Sequence, residues 1–206
     1  MTFLAALSTL VTLLIALPTY ALAQGASETP AEPKFTYCAE PNEMVLELRY
    51  SGGMIQDADP TPFVRITCQG KVLIHWPRYT KMAGDYTLTL SKKELEILLA
   101  IFAQEQLLTI DNANIQAMAA RVQAEGPSEI SEDHGVMTTV DMRFERVAPA
   151  DPTGTPLTNV DRQISLPAAA VAASARAPMA PLQNFAAGIK ELEALAERPD
   201  LVKLSQ

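Results

Sequence analysis

Apolar and polar residues alternate along several short stretches of this chain. Met44, Leu46, Leu48 and Tyr50 share one side of a stretch whose other side carries Glu47 and Arg49, the period of a half-buried strand. Ser51-Gly52-Gly53 ends it, and Asp57 to Pro62 reads as a loop. Phe63–Cys68 and Lys71–Trp76 are two strands joined at Gln69-Gly70, a tight hairpin signal. Val64, Ile66 and Cys68 fall on one side of the first, and Val72, Ile74 and Trp76 on one side of the second. Trp76-Pro77 breaks that ladder. Asp85–Leu90 is a fourth strand, with Tyr86, Leu88 and Leu90 inward and Thr87 and Thr89 outward.

The period then changes to that of a helix. Ser91-Lys92-Lys93-Glu94 is a capping box, in which the hydroxyl and the carboxylate satisfy backbone donors at a helix start. The helix is predicted to run to about Leu107, with Leu95, Leu98, Leu99 and Phe102 as its core-facing stripe. Asp111 or Asn112 caps a second helix to about Ala124, with Ile115, Met118, Ala119 and Val122 inward. Gly126-Pro127 stops it. Val136–Val147 is a long strand with Val140, Met142 and Phe144 inward and Asp141, Arg143 and Glu145 outward. After a loop holding three prolines comes the return strand Val160–Leu166, whose apolar side also carries Arg162. Pro167 to Pro181 is Ala-rich and is assigned no element. The last helix, Leu182–Glu197, aligns Leu182, Phe185, Ile189, Leu192 and Ala196, and holds Gly188 at a cost of about 1 kcal/mol against Ala.

Hairpins dominate this order and no βαβαβ alternation occurs. The expected fold is α+β, a two-layer sandwich with a mostly antiparallel sheet and helices on one face. By strand parity the open sheet face carries Glu47, Arg49, Arg65, His75, Thr87 and Thr89, with Phe63 and Leu73 exposed among them. Arg49, Phe63, Arg65, Leu73 and His75 are therefore the candidate partner-binding face, an apolar pair amid charges. The competing reading is an ordinary wet face laced with cross-strand salt bridges.

The chain opens differently. Met1 to Ala23 has no charged side chain; Phe3 to Leu17 is almost unbroken apolar sequence, and Ala21-Leu22-Ala23 precedes Gln24. That is the layout of a secretory signal peptide with an A-x-A cleavage site, although its n-region lacks Lys and Arg. The alternative is an N-terminal membrane anchor, since the stretch is near the roughly 20 residues that span a bilayer. The expected organisation is a signal peptide over 1–23, a flexible leader over 24–34 and a single α+β domain over 35–206. The expected location is periplasmic or secreted, with no membrane association after cleavage.

The 206-residue chain carries a net charge of −8, which disfavours nucleic acid and anionic lipid as partners. Its two cysteines, Cys38 and Cys68, read as a disulfide in an oxidising compartment, with free thiols as the alternative. Cys38 precedes the first strand and Cys68 closes the second, so an antiparallel pairing brings both to one end of the sheet. The loop so closed has about 30 residues, worth roughly 3–4 kcal/mol in the chain-entropy model.

No catalytic set is legible. There is no G-x-S-x-G, and the two histidines, His75 and His134, are far apart. His75 is expected to point to solvent. Glu129, Glu132, Asp133 and His134 lie in one polar loop but meet no recognised ligand spacing, so neither metal nor cofactor is expected. His75-Trp76-Pro77-Arg78-Tyr79-Thr80-Lys81 is the one local mix of aromatic and basic residues, while Trp76 falls on the apolar parity of its strand.

Two segments, Leu46 to Gly53 (LELRYSGG) and Leu90 to Leu108 (LSKKELEILLAIFAQEQLL), resemble the emfourin-like family. The likeness covers about 27 residues: a strand ending in Ser-Gly-Gly, a later strand entering a capped helix, and a Leu-Leu step near the helix end. It implies a small α+β inhibitor of thermolysin-type metalloproteases, and no inhibitory residue is carried over. The sequence thus predicts a non-enzymatic, exported, protein-binding domain whose partner is an envelope protein or protease. The alternative is a small-ligand or cation-binding module of the cell envelope. N-terminal sequencing of the exported protein is expected to begin at Gln24; a start at Phe3 or earlier contradicts cleavage.

Overall fold

In the computed structural model the described residues are 34–38, 40–52, 59–125, 135–176 and 178–205. The expected signal peptide, nearly all of the leader and the loop from Glu129 to His134 lie outside them.

The strands are β1 (Phe35–Thr36), β2 (Met44–Gly52), β3 (Val64–Thr67), β4 (Lys71–Trp76), β5 (Gly84–Thr89), β6 (Val136–Val147), β7 (Leu157–Pro167) and β8 (Val202–Lys203). They make one sheet, and each pairing among the described residues is antiparallel. β6 is the hinge of the order: β7 lies on one side of it, and β1 and β2 follow one another along the other. From β2 the sheet continues through β3, β4 and β5 to β8 at the far edge. The α+β class and the antiparallel sheet read from the alternation are those observed.

The β3–β4 hairpin turns where expected. Gly70 sits at φ +77°, a conformation that favours glycine, and its N–H donates to the Thr67 carbonyl at 2.8 Å. Strand parity fails at Val45. The β2–β3 register jumps between Met44 and Leu46, so Val45 is the extra residue of a bulge. It is fully buried and joins the core instead of facing outward. The disulfide between Cys38 and Cys68 is present, with Cα atoms 5.9 Å apart, and ties the approach to β2 to the end of β3.

The helices are α1 (Lys92–Phe102), α2 (Glu105–Thr109), α3 (Asn112–Glu125), α4 (Ala168–Ser174) and α5 (Ala180–Ala194), the last continued by a 3-10 turn, Leu195–Glu197. Their apolar stripes meet Leu46, Leu48, Ile66, Ile74, Val140 and Ile164 from the inner sheet face in one core. The capping box at Ser91 forms as read: the Glu94 N–H donates to Ser91 Oγ at 3.2 Å, and the Ser91 N–H to Glu94 Oε2 at 2.7 Å.

The first helix is shorter than its pattern suggests. It stops at Phe102, and Gln104 is extended at φ −98° before α2 begins. Helical geometry explains the break. At about 100° per residue, an unbroken helix would put Gln106 on the core side and turn Leu108 away from it. Restarting the helix rephases it, so Leu107 and Leu108 are both buried and Gln106 is exposed. Arg162 keeps the side its strand pattern gives it: its guanidinium reaches the helix layer and donates to the Ile110 carbonyl at the end of α2.

Gly188 explains how α1 and α5 approach so closely. The Phe102 ring lies where a Cβ on residue 188 would be, and Phe102 is fully buried. Gly188→Ala is therefore expected to lower stability by about 1–3 kcal/mol through overpacking, against the gain of about 1 kcal/mol that helix propensity alone gives. Urea unfolding of the variant checks this; a stability gain would show that the Phe102 ring yields freely.

Candidate functional site

The open face of the sheet is ordered by a row of directly paired residues. Arg65 on β3 stands opposite Glu47 on β2, Glu47 opposite Asp141 on β6, and Asp141 opposite Gln163 on β7. Two carboxylates side by side repel unless a cation joins them. Arg49 does so, with Nη2 at 2.6 Å from Glu47 Oε1 and 2.7 Å from Asp141 Oδ2. Arg65 Nε reaches Glu47 Oε2 at 2.8 Å, and Gln163 Nε2 donates to Asp141 Oδ1 at 2.6 Å. Glu47 is only 3% exposed, although it points away from the helices. The arginine side chains close over it. Arg49 thus neutralises its neighbours, the salt-bridged wet face that was the competing reading.

His75, expected to point to solvent, is only 19% exposed and is gripped from both sides. Its Nδ1 lies 2.6 Å from Asp85 Oδ1 and its Nε2 2.8 Å from Asp59 Oδ2. Asp85 is its register partner on β5, whereas Asp59 arrives from the segment before β3. Asp59 also accepts the Thr61 N–H at 3.0 Å. Its carboxyl is held at about 2 by its hydrogen bonds with Thr61 and then by His75. Partial burial alone would lower the His75 pKa, but the hydrogen bonds and charges of Asp85 and Asp59 outweigh it and raise the value. Both ring nitrogens facing carboxylates favour the imidazolium.

Several open cavities border this Asp59–His75–Asp85 link. On the outer face, a groove of about 500 Å³ is lined by Pro60, Pro62, Arg65, Leu73, His75 and Leu204. At the end of the sandwich, a cavity of about 430 Å³ is walled by Tyr50, Phe63, Trp76 and Tyr79, with Glu193 and Glu197 supplied by α5 and its 3-10 extension. Its aromatic wall is built. The Phe63 ring stands edge-on to Trp76 with centroids 5.0 Å apart, and Tyr50 packs against Phe63 at 5.6 Å. The Tyr50 hydroxyl donates to Glu193 Oε1; burial first, then this bond, raises its pKa. Trp76 Nε1 is buried and has no acceptor among the described residues.

The structure redistributes the five residues of the candidate face. Arg65, Leu73 and His75 line the outer groove together. Arg49 belongs to the ion network beside it. Phe63 is a correction: it lies just before β3, outside the paired ladder where parity holds, and its ring joins the aromatic wall instead of the outer face. Trp76 packs against the core, as its parity suggested, and also lines the cavity. Asp59, Tyr50, Glu193 and Glu197 were not singled out from the sequence. Asp59 and Glu193 each act through a partner remote in sequence, and no local pattern marks such a pair.

Cys38, Glu43 and Cys68 also converge, with potential ligand atoms within 4.8 Å of one another. The two sulfurs are bonded to each other, so no thiolate is available there to hold a metal. Among the described residues, no helix is long and apolar enough to cross a membrane. No family model, curated protein or solved structure matches this chain.

The sign of the His75 effect is fixed by its raised pKa. Its contribution to stability is fully present below the unfolded value of about 6.5 and is lost as pH rises through the folded value. An NMR titration of the His75 ring is expected to give a midpoint above 6.5, and Asp85→Asn with Asp59→Asn to bring it below that of the wild type. A wild-type midpoint below 6.5 would contradict the double carboxylate grip.

Proposed function

We propose that this chain is an exported, non-enzymatic domain that binds another protein across the surface centred on His75. The carrying observation is the outer groove, where Leu73, Leu204, Pro60 and Pro62 supply apolar surface beside Arg65 and His75. Apolar surface interspersed with charged groups is the composition of a protein-contact patch. Export is supported by the signal-like opening and by the disulfide, which belongs to oxidising compartments. The location proposed is periplasmic or secreted, with the N-terminally anchored form as the alternative. The partner is an envelope protein or a protease, and the emfourin-like resemblance designates thermolysin-type metalloproteases for the first inhibition assay.

A second reading has its own observation. Trp76, Pro77, Tyr79 and Thr80, from the aromatic and basic segment of the sequence, line the smaller cavity, as a small-ligand module would require.

Crosslinking pull-down with the mature domain, run beside a Leu73→Asp variant, separates the two. Protein binding predicts a defined envelope partner or an inhibited protease, with either effect lost in the variant. If no partner is captured and no protease is inhibited, while sugars or metals raise the melting temperature, the small-ligand reading replaces it.

A further inference from the structure

We infer that the aromatic cavity between Trp76 and the end of α5 seats a lysine or arginine side chain of the partner protein. This rests on the protein-binding reading and names the chemistry of one contact within it. The walls are Tyr50, Phe63, Trp76 and Tyr79, and Tyr79 is 61% exposed at the mouth. Such walls suit an alkyl stem, and aromatic faces attract a cation. Apart from His75, its ionisable side chains other than tyrosine are carboxylates: Glu193, Glu197 and Asp59 line the cavity, beside the neutral Thr61 and Thr80. No Lys or Arg lines it among the described residues, and its one basic group, His75, is already held by Asp59 and Asp85.

The carboxylates differ in what they have left to offer. Asp59 is engaged by His75 and Thr61. Glu193 accepts the Tyr50 hydroxyl but makes no ion pair among the described residues, and neither does Glu197. Two carboxylates without a cation beside an apolar wall select against other occupants. An acidic group would be repelled, also by the net charge of −8, and a purely apolar one would desolvate the carboxylates without pairing them. A basic side chain satisfies both halves. At about 430 Å³ the cavity takes a side chain, not a secondary-structure element. His75 and Thr61 line both this cavity and the outer groove, so a protein lying in the groove has the cavity at its edge.

Trp76 is the only tryptophan in the chain, so its emission reports the cavity directly. The probes are capped pentapeptides, Ala-Ala-Lys-Ala-Ala and its norleucine and glutamate counterparts, together with tetramethylammonium, titrated into the mature protein. A saturable shift in Trp76 emission is expected with the lysine peptide and not with the other two peptides. Glu197→Gln, at an exposed position, is expected to weaken it several-fold, and Glu193→Gln with Glu197→Gln at least tenfold, with unchanged near-UV circular dichroism showing that the wall persists. No shift with the lysine peptide, equal binding of the norleucine peptide, or full binding by the double variant overturns the inference. So does tetramethylammonium binding as tightly as the peptide, which would make the cavity a small-cation site. Leu73→Asp leaves peptide binding intact here, so loss of a captured partner in that variant, without loss of peptide binding, tells the groove and the cavity apart. A partner held equally by the wild type and by the double variant leaves the protein-binding reading standing and removes this one.

Discussion

Helices cover one face of this sheet, and the charged groups at the centre of the other face pair with one another. The inner face carries Leu46, Leu48, Ile66, Ile74 and Val140 into the core, and the alternation of the strands sends Glu47, Arg49, Arg65 and Asp141 the other way. Glu47 shows how strong the constraint is. It lies in the middle of the sheet with another carboxylate beside it, and it is excluded from water by the arginines that pair with it. Removing Arg49 would leave the Glu47 and Asp141 carboxylates side by side with no cation joining them. The network holds β3, β2, β6 and β7 in register from outside while the core holds them from within.

Further along the same face the row runs out of paired charges, and a site forms there. Arg65 stands opposite Leu73, and Leu73 opposite Thr87, so the row carries no charge beyond β3. The chain before β3 folds back at this point and is fastened by Asp59 to His75. That one contact gives the segment two consequences: Pro60 and Pro62 border the outer groove, and Phe63 is delivered to the aromatic wall. The site thus depends on a histidine held between two carboxylates.

The sequence revealed most where physics is local. Alternation located β2 through β7, the Gln69-Gly70 turn located a hairpin, and the Ser91–Glu94 box located a helix start. The cysteine bridge followed from compartment and pairing geometry. What was hidden is non-local. Val45 escapes strict parity because of a bulge that only the partner strand defines. β8 is two residues long, formed by pairing with the edge of β5 after the helical segment has ended before Pro199, and has no pattern of its own. The candidate site was half legible. Arg65, Leu73 and His75 share a face that parity exposes, whereas the cavity wall joins Tyr50 and Trp76, on two strands, to Glu193, 143 residues after Tyr50 in the sequence.

The central claim is that the bond between His75 and Asp59 fastens the segment before β3 and so shapes both cavities. The most direct measurement is the solvent-exchange rate of the Thr61 amide, which donates to Asp59, in the wild type and in His75→Gln. The account predicts faster Thr61 exchange in the variant, with the Ile66 amide in β3 unchanged. Equal Thr61 exchange in the two proteins would contradict it, because the segment would then hold its place without the histidine.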